Sequence, residues 1–313
     1  MDTVAVVLSD PERLALSRVV LNAPQETDVV VDVSYSGIST GTERLLWSGR
    51  MPTFPGMGYP LVPGYESIGR VVEAGARATH PVGAHVFVPG SNGFRDVRGL
   101  FGGAASTLVV ASEKIVPVDE ALGERGVLLA LAATAYHAIR TPGANRPDLI
   151  VGHGVLGRLV ARLALVDGEA PPVVWETNAG RAEPAVGYDV VHPDQDQRRD
   201  YRCIVDVSGD STILDRLIAR LAPGGEIVLA GFYEKPLSFS FPPAFMREAR
   251  MRVAAEWKRA DLAAVNALIN AGRLSLNGLV THRADAHAAE GAYRTAFEDP
   301  TCLKMVLDWR SCA

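Results

Sequence analysis

The chain has 313 residues, more than a single hydrophobic core usually organises, so two domains are expected. Hydrophobic residues make up 48% and charged residues 21%, a soluble globular balance that excludes a disordered or fibrous chain. The formal net charge of -5 and the lack of a long basic run argue against a nucleic-acid partner, because phosphate affinity requires clustered Lys and Arg.

The opening stretch MDTVAVVLSDPE has neither a basic start nor a long apolar run. No segment supplies the ~20 apolar residues of a membrane span, so no span is expected and the cytoplasm is the expected compartment. Val29, Val31, Val33 and Tyr35 are apolar with Asp32 and Ser34 polar between them, which predicts a half-buried strand over Val29–Tyr35. Short strands are predicted at Ser67–Glu73, His85–Val88, Thr107–Val110 and Lys114–Val116, separated by Gly and Pro.

A helical stretch predicted at Glu124–Ile139 marks a change of texture, after which strand and helix alternate. The predicted strands are Leu149–Val151, Val173–Glu176, Val190–Val191, Cys203–Val207 and Glu226–Ala230, with helices at Val155–Val166 and Thr212–Leu221. Alternation of this kind predicts a parallel, doubly wound sheet. About eleven residues separate Val191 from Cys203, few for a crossover helix with its two loops, so that connection is expected to be trimmed or irregular. The tail predicts a helix at Asp261–Ala271, another near Ala286–Phe297, and a last strand over Leu303–Trp309.

The most informative local motif is GHGVLG, Gly152 to Gly157, between the apolar strand LIV and an amphipathic helix. Gly152 permits the tight turn, Gly154 lets backbone approach a pyrophosphate, and Gly157 lets the helix pack on the strand. Val155 and Leu156 open that helix, whose N-terminus attracts an anion. At the end of the next strand Glu176 is positioned to accept hydrogen bonds from an adenosine ribose and to repel the extra phosphate of NADP, which points to NAD. Arg181 nearby works against that preference, and a solvated strand end also accounts for Glu176. Asp206 and Ser208 in VDVSG, and Gly231 and Phe232 in LAGFY, fall at strand carboxyl ends and are candidates to line a nicotinamide pocket. Turn chemistry explains Ser208 and Gly209 equally well.

Three cysteines, Cys203, Cys302 and Cys312, show no CxxC pair and form no recognisable metal set. Cys203 in CIVDV reads as a buried thiol, and His282 and His287 read as surface residues.

Taken in order, GIS (Gly37–Ser39), PGYESIGRVVEAG (Pro63–Gly75), VGAHVFV (Val82–Val88), TAYHA (Thr134–Ala138), GHGVLG, VDVSG, LVTHR and KMVLDW resemble the medium-chain dehydrogenase/reductase superfamily over nearly the whole chain. The resemblance implies an α/β fold. A GroES-like β domain would comprise residues 1–123 and 256–313, and a Rossmann domain with a doubly wound parallel sheet residues 124–255, with the active site in the cleft. It also implies assembly, a homodimer being the simplest form. Zinc-dependent members carry Cys in the GIC motif and His in GHE, where this chain has Ser39 and Tyr65. Neutral hydroxyls are poor zinc ligands, so no catalytic zinc is expected. The four-cysteine structural lobe is also replaced, by SNGFRDVRGLFGG at Ser91–Gly103.

The whole sequence is similar to the branch of that superfamily that oxidises a 3-(1-hydroxyethyl) side chain on a chlorin ring to 3-acetyl. This implies a chlorophyllide-type substrate, bacteriochlorophyllide a as product, and NAD-linked removal of hydride from a secondary alcohol. Alternatives are a zinc-free NAD(P)H enone or quinone reductase and a catalytically silent pigment-binding protein. Alcohol oxidation needs a proton acceptor and a hydride acceptor, and a metal commonly stabilises the developing alkoxide. Without one, conjugation with the macrocycle would assist hydride loss and the protein would supply mainly orientation.

Tyr65 is the first candidate for hydrogen bonding or proton relay, with Ser39, Thr40 and Thr42 as relay hydroxyls and Glu66 as an orienting group. STGTE also reads as a turn and helix cap. His137 is a candidate base near the nicotinamide, or a helix histidine satisfied by packing. Trp47, Phe54, Tyr59, Phe94 and Phe101 are candidate pigment walls, and Arg44, Arg50, Arg95 and Arg98 candidate partners for its carboxylate; core packing and solvated charge are the plainer readings.

Overall fold

The computed structural model describes residues 1–312 apart from Phe54, Pro142, Asp167 and Glu169. Two compact units emerge, Met1–Ala130 with Leu276–Ala313, and Leu131–Ser275.

The first unit is built on a seven-stranded sheet. Its path runs His282–Asp285, Met305–Asp308, Asp28–Ile38, Ser67–Ala74, His85–Val88 and Val116–Pro117, with Thr107–Ala111 also pairing with Asp28–Ile38. Alternation in Val29–Tyr35 predicts one buried face, yet Val29, Val30 and Val31 are all buried. The strand is longer than its pattern suggests because it pairs along both edges and is packed by the 3-10 helix Glu120–Leu128. That 3-10 segment replaces the start of the helix predicted from Glu124, and the α-helix runs Leu129–Arg140. A Cβ at Gly126 would meet the Ile68 side chain at 2.5 Å, so close packing, not helix propensity, decides the geometry there.

A four-stranded sheet completes this unit, in the order Arg13–Val20, Asp2–Asp10, Leu61–Val62, Arg98–Gly99. Its antiparallel hairpin, Asp2–Asp10 with Arg13–Val20, has no counterpart in the sequence reading. The run Ala5–Leu8 is buried without alternation, which removes the period-two signal, and Glu12 closes the turn at φ 63°.

The second unit holds a six-stranded parallel sheet in the order Asp189–Val191, Val173–Trp175, Leu149–Val151, Tyr201–Asp206, Leu221–Leu229, Arg250–Val253. This is the doubly wound order in which nucleotides bind at the carboxyl ends of the central strands. Leu149, Ile150 and Val151 are buried in the middle; each such side chain stabilises the fold by roughly 2 kcal/mol. Residues 192–200 form no helix. The Asp196 carboxylate pins this short crossover, accepting from Trp175 Nε1 and Tyr201 Oη at 2.7 Å each.

The second unit extends to Ser275 and so takes in the helix Arg259–Asn270, which the resemblance assigns to the other domain. The reason lies in its contacts. Asp261 meets His137 Nδ1 at 2.8 Å, and Arg162 donates to the Ser275 carbonyl at 2.7 Å.

Candidate active site

In the second unit the strand Leu149–Val151 ends at Gly152, whose φ of 102° favours glycine. A Cβ at Gly157 would sit 1.8 Å from the Gly152 carbonyl oxygen, so the helix can start this close to the strand only with glycine there. Gly154 is the N-cap of the eleven-residue helix Val155–Leu165, with no side chain capping it and open space where its Cβ would lie. The turn therefore offers a cradle at the positive end of a helix, which fits a pyrophosphate.

Glu176 is more than a solvated strand end. Its carboxylate accepts from the His153 N–H at 3.0 Å and the Asn178 N–H at 2.8 Å, tying the glycine turn to the neighbouring strand. Asp206, fully buried, accepts from the Ser208 N–H at 2.9 Å and the Tyr233 hydroxyl at 2.8 Å, while its carbonyl accepts from Gly231 N–H at 3.0 Å. Burial raises the Asp206 pKa above the usual carboxylate range, and the bonds from Ser208 and Tyr233 oppose that shift. Ser208 and Gly231 are thus joined through Asp206, and Ser208 Cα lies 3.3 Å from a Cβ built on Gly152. Phe232 follows, 51% exposed.

Sequence reasoning missed what braces this region. Arg158, 1% exposed, donates to the carbonyls of His153 at 3.1 Å, Arg181 at 2.7 Å and Glu183 at 3.2 Å, and also to Pro184. His153 Nδ1 lies 2.7 Å from the Arg181 carbonyl, and its Nε2 2.8 Å from the Tyr188 hydroxyl. A carbonyl only accepts, so Nδ1 carries the proton and Nε2 accepts from Tyr188. Burial pushes the imidazole pKa down, consistent with that neutral tautomer. A buried arginine on an otherwise amphipathic helix was the available signal.

In the first unit, Ser39 lies between the strand Asp28–Ile38 and the helix Thr42–Trp47, and Tyr65 in the turn before Ser67–Ala74. The Tyr65 hydroxyl donates to Ser39 Oγ at 2.7 Å, and the Thr42 N–H donates to the same oxygen at 3.4 Å. Tyr65, Ser39 and Thr42 therefore form one cluster. Burial and the nearby Glu66 push the phenol well above its usual range, so Tyr65 stays protonated and acts as a donor or relay, not as a phenolate base. Phe101 packs edge-on against its ring with centroids 5.3 Å apart.

Two carboxylates lie beneath this cluster. Glu43 accepts from the Ser39 N–H at 2.9 Å and the Tyr293 hydroxyl at 2.6 Å. It is fully buried, and burial raises its pKa to about 7. Glu66 accepts from Lys304 Nζ at 2.6 Å, and Lys304 also donates to the Ile38 carbonyl at 3.2 Å. Burial raises the Glu66 pKa and the lysine opposes that shift. A Cβ at Gly37 would meet Glu66 Oε2 at 2.2 Å, which accounts for the glycine in GIS. This donor set fits zinc poorly: two neutral hydroxyls bonded to each other, and a carboxylate already held by a lysine.

Other candidates lie elsewhere. His137 belongs to the second unit, where Nδ1 is committed to Asp261; that contact favours the packing role over the base role. Trp47 packs on Phe297 at 5.6 Å, Phe94 is buried in the core, and the Tyr59 hydroxyl donates to the Leu46 carbonyl. Phe54 lies outside the described residues. Arg44, Arg50, Arg95 and Arg98 are all exposed; Arg98 donates to the Tyr59 carbonyl at 3.2 Å and Arg50 to Ser48 Oγ at 3.0 Å.

Residues 25–120 match the alcohol dehydrogenase GroES-like domain. A solved alcohol dehydrogenase from Escherichia coli CFT073, complexed with NADH, superposes with a TM-score of 0.83 at 19% identity, covering 98% of this chain and 99% of that one. An NADP-bound zinc-binding dehydrogenase from Sinorhizobium meliloti gives 0.81 at 19% identity, covering 98% and 99%. Together with the sheet order, these show the fold of the alcohol dehydrogenases. The 2-desacetyl-2-hydroxyethyl bacteriochlorophyllide A dehydrogenase of Rhodobacter capsulatus is 56% identical over 311 residues, 99% of each chain. The enzyme of that name from Cereibacter sphaeroides is 56% identical over 318 residues, 100% of each chain. The chain belongs to this dehydrogenase family.

Proposed function

We propose that this protein oxidises the 3-(1-hydroxyethyl) group of bacteriochlorophyllide a, or of chlorophyllide a, to 3-acetyl in bacteriochlorophyll a biosynthesis, with NAD as hydride acceptor. The observation that carries this reading is full-length 56% identity to two dehydrogenases whose names state that substrate. It favours the dehydrogenase over an enone reductase or a silent pigment binder.

When bound, NAD would supply the acceptor for the hydride of the carbinol carbon, while the alcohol oxygen gives up its proton. The turn Gly152–Gly157, with Val155 and Leu156 opening the helix, would hold its pyrophosphate. Glu176 would receive the ribose hydroxyls and disfavour a 2′-phosphate. Ser208, Gly231 and Phe232 would line the nicotinamide side.

Tyr65 orients the substrate alcohol and relays its proton, giving up its own to Ser39 as Ser39 releases one to water, with the Thr42 N–H bonded to Ser39 Oγ. In our reading no catalytic zinc takes part, since Ser39 and Tyr65 offer neutral oxygens and Glu66 is held by Lys304. Orientation and conjugation with the macrocycle supply the assistance a metal would give. No described helix is long and apolar enough to cross a membrane.

We also propose a homodimer. The edge strand Arg250–Val253 leaves Met251 and Val253 exposed, and Met251 shares one surface with Phe241, Phe245 and Met246, the kind of edge that two copies bury by isologous pairing.

The test is anaerobic incubation of purified protein with 3-hydroxyethyl bacteriochlorophyllide a and either NAD or NADP. The expected outcome is NADH and 3-acetyl pigment in a one-to-one ratio, with NADP much slower. Tight NAD binding without pigment turnover would overturn the reading.

A further inference from the structure

Near the C-terminal end of the chain, three side chains that the dehydrogenase reaction does not use come together. The strand His282–Asp285 runs parallel to Met305–Asp308, with Asp285 opposite Asp308. Both segments then turn. Asp285 caps the 3-10 turn Ala286–Ala288, accepting from the His287 N–H at 2.8 Å. On the other segment Trp309 is fully buried, with its N–H bonded to the Ser34 carbonyl at 3.0 Å, and Cys312 N–H returns to the Trp309 carbonyl at 2.8 Å. The anchored turn places Ser311 and Cys312 against the other, and Ser311 Oγ donates to Asp285 Oδ2 at 2.7 Å.

The result is a thiol, an imidazole and a carboxylate whose ligand atoms all lie within 4.8 Å of one another. Cys312 Sγ is 3.6 Å from His287 Nδ1, which is itself 2.8 Å from Asp285 Oδ1. Ligands at ~2.3 Å (sulfur) and ~2.0 Å (nitrogen) from one tetrahedral ion stand about 3.5 Å apart, so the sulfur–nitrogen pair at 3.6 Å is close to the required separation. The nitrogen–oxygen pair needs to open from 2.8 Å to about 3.3 Å, about half an ångström, as its hydrogen bond is exchanged for metal bonds. Asp285 is oriented for this by the bonds it accepts from Ser311 Oγ at 2.7 Å and from the His287 N–H at 2.8 Å. Asp285 and His287 are exposed and Cys312 partly so, which leaves the cluster open to solvent.

We propose that Cys312, His287 and Asp285 form a binding site for a Zn2+-type divalent cation, with water in the fourth position. Binding takes the thiol proton to solvent, leaving a thiolate–metal bond. His287 binds through Nδ1 and carries its proton on Nε2. The ion clips the terminal turn to the end of the strand His282–Asp285. Cysteine spacing conceals the site because two of its three ligands are not cysteines and lie about 25 residues from the third in sequence.

The test uses the full-length protein, chelator-treated and titrated with Co2+ while near-ultraviolet thiolate-to-metal absorption is followed. One equivalent is expected to produce the band, and Zn2+ to displace it. Cys312→Ser and His287→Ala should abolish it, and Asp285→Asn should weaken Co2+ binding at least ~10-fold, the loss seen when even a supporting group is removed. Cys203 and Cys302 are buried and should contribute nothing. Absence of the band in the wild type, or its persistence in Cys312→Ser, would overturn the proposal. A second readout needs no variant: Zn2+ should slow alkylation of Cys312, and an unchanged rate contradicts the site.

Discussion

The glycine turn of the second unit and the hydroxyl cluster of the first solve different problems with different materials. The turn works through backbone: the φ of Gly152, the missing Cβ of Gly157 and the uncapped start of the helix Val155–Leu165 shape it within six consecutive residues. The cluster works through side chains drawn from distant segments, with Tyr65 on Ser39, Tyr293 on Glu43 and Lys304 on Glu66. The first arrangement is common property of nucleotide-binding folds. The second is where this chain departs from zinc-dependent relatives, and its chemistry has to be tested residue by residue.

The largest expected effect is on the cluster side. Tyr65→Phe removes the hydroxyl and keeps the ring, so kcat should fall roughly 100-fold, the lower range for a lost proton-transfer group, with little change in KM. Wild-type kinetics would remove Tyr65 from the mechanism. On the turn side, Gly157→Ala forces a Cβ against the Gly152 carbonyl. Overpacking of about 1–3 kcal/mol would weaken NADH binding roughly 10- to 100-fold in a fluorescence titration while leaving the first unit intact.

Glu43 sharpens the comparison through pH. Its pKa rises from 4.5 to about 7 in the folded chain, so above pH 4.5 the unfolded chain releases a proton that the folded chain retains. The stability this contributes is complete below pH 4.5 and is lost as pH rises through 7, about 3 kcal/mol in all. Glu43→Gln can keep the bond from the Ser39 N–H and reverse the one with Tyr293, whose oxygen accepts from the amide NH2, without the titration. Urea unfolding between pH 5 and pH 8 should therefore show a decline in wild type that is smaller in the variant by about 2–3 kcal/mol. Equal declines would place the titrating group elsewhere. The smallest effect belongs to Glu176→Ala, which should reduce the NAD-over-NADP preference by about tenfold, one lost hydrogen-bonding carboxylate being worth about 1.4 kcal/mol. An unchanged ratio would mean that Glu176 serves only His153 and Asn178.

The same contrast explains what could be read from the sequence. The strands Leu149–Val151 and His85–Val88 have the bounds their apolar runs predict, and GHGVLG sits at its strand-to-helix turn, because local pattern and local geometry coincide there. The hairpin at residues 2–20 escaped because Ala5–Leu8 is buried on both faces, which erases alternation there, and the edge strand Arg250–Val253 because it is mostly exposed. The Tyr293–Glu43 pair spans 250 positions and Lys304–Glu66 spans 238, distances over which no periodicity carries information. Tyr65 and Ser39 stood out only by comparison with the zinc motif; their contact, and Glu43 beneath them, required the fold.

The central claim is that neutral hydroxyls stand where a catalytic metal would be, and chelation tests it most directly. Turnover of 3-hydroxyethyl bacteriochlorophyllide a with NAD would be measured on Cys312→Ser protein, which should lack the surface cation site, before and after exhaustive chelation. The account predicts equal kcat in both samples and no gain on adding Zn2+. Loss of activity on chelation, restored by stoichiometric Zn2+, would contradict it and return a metal to the alcohol oxygen.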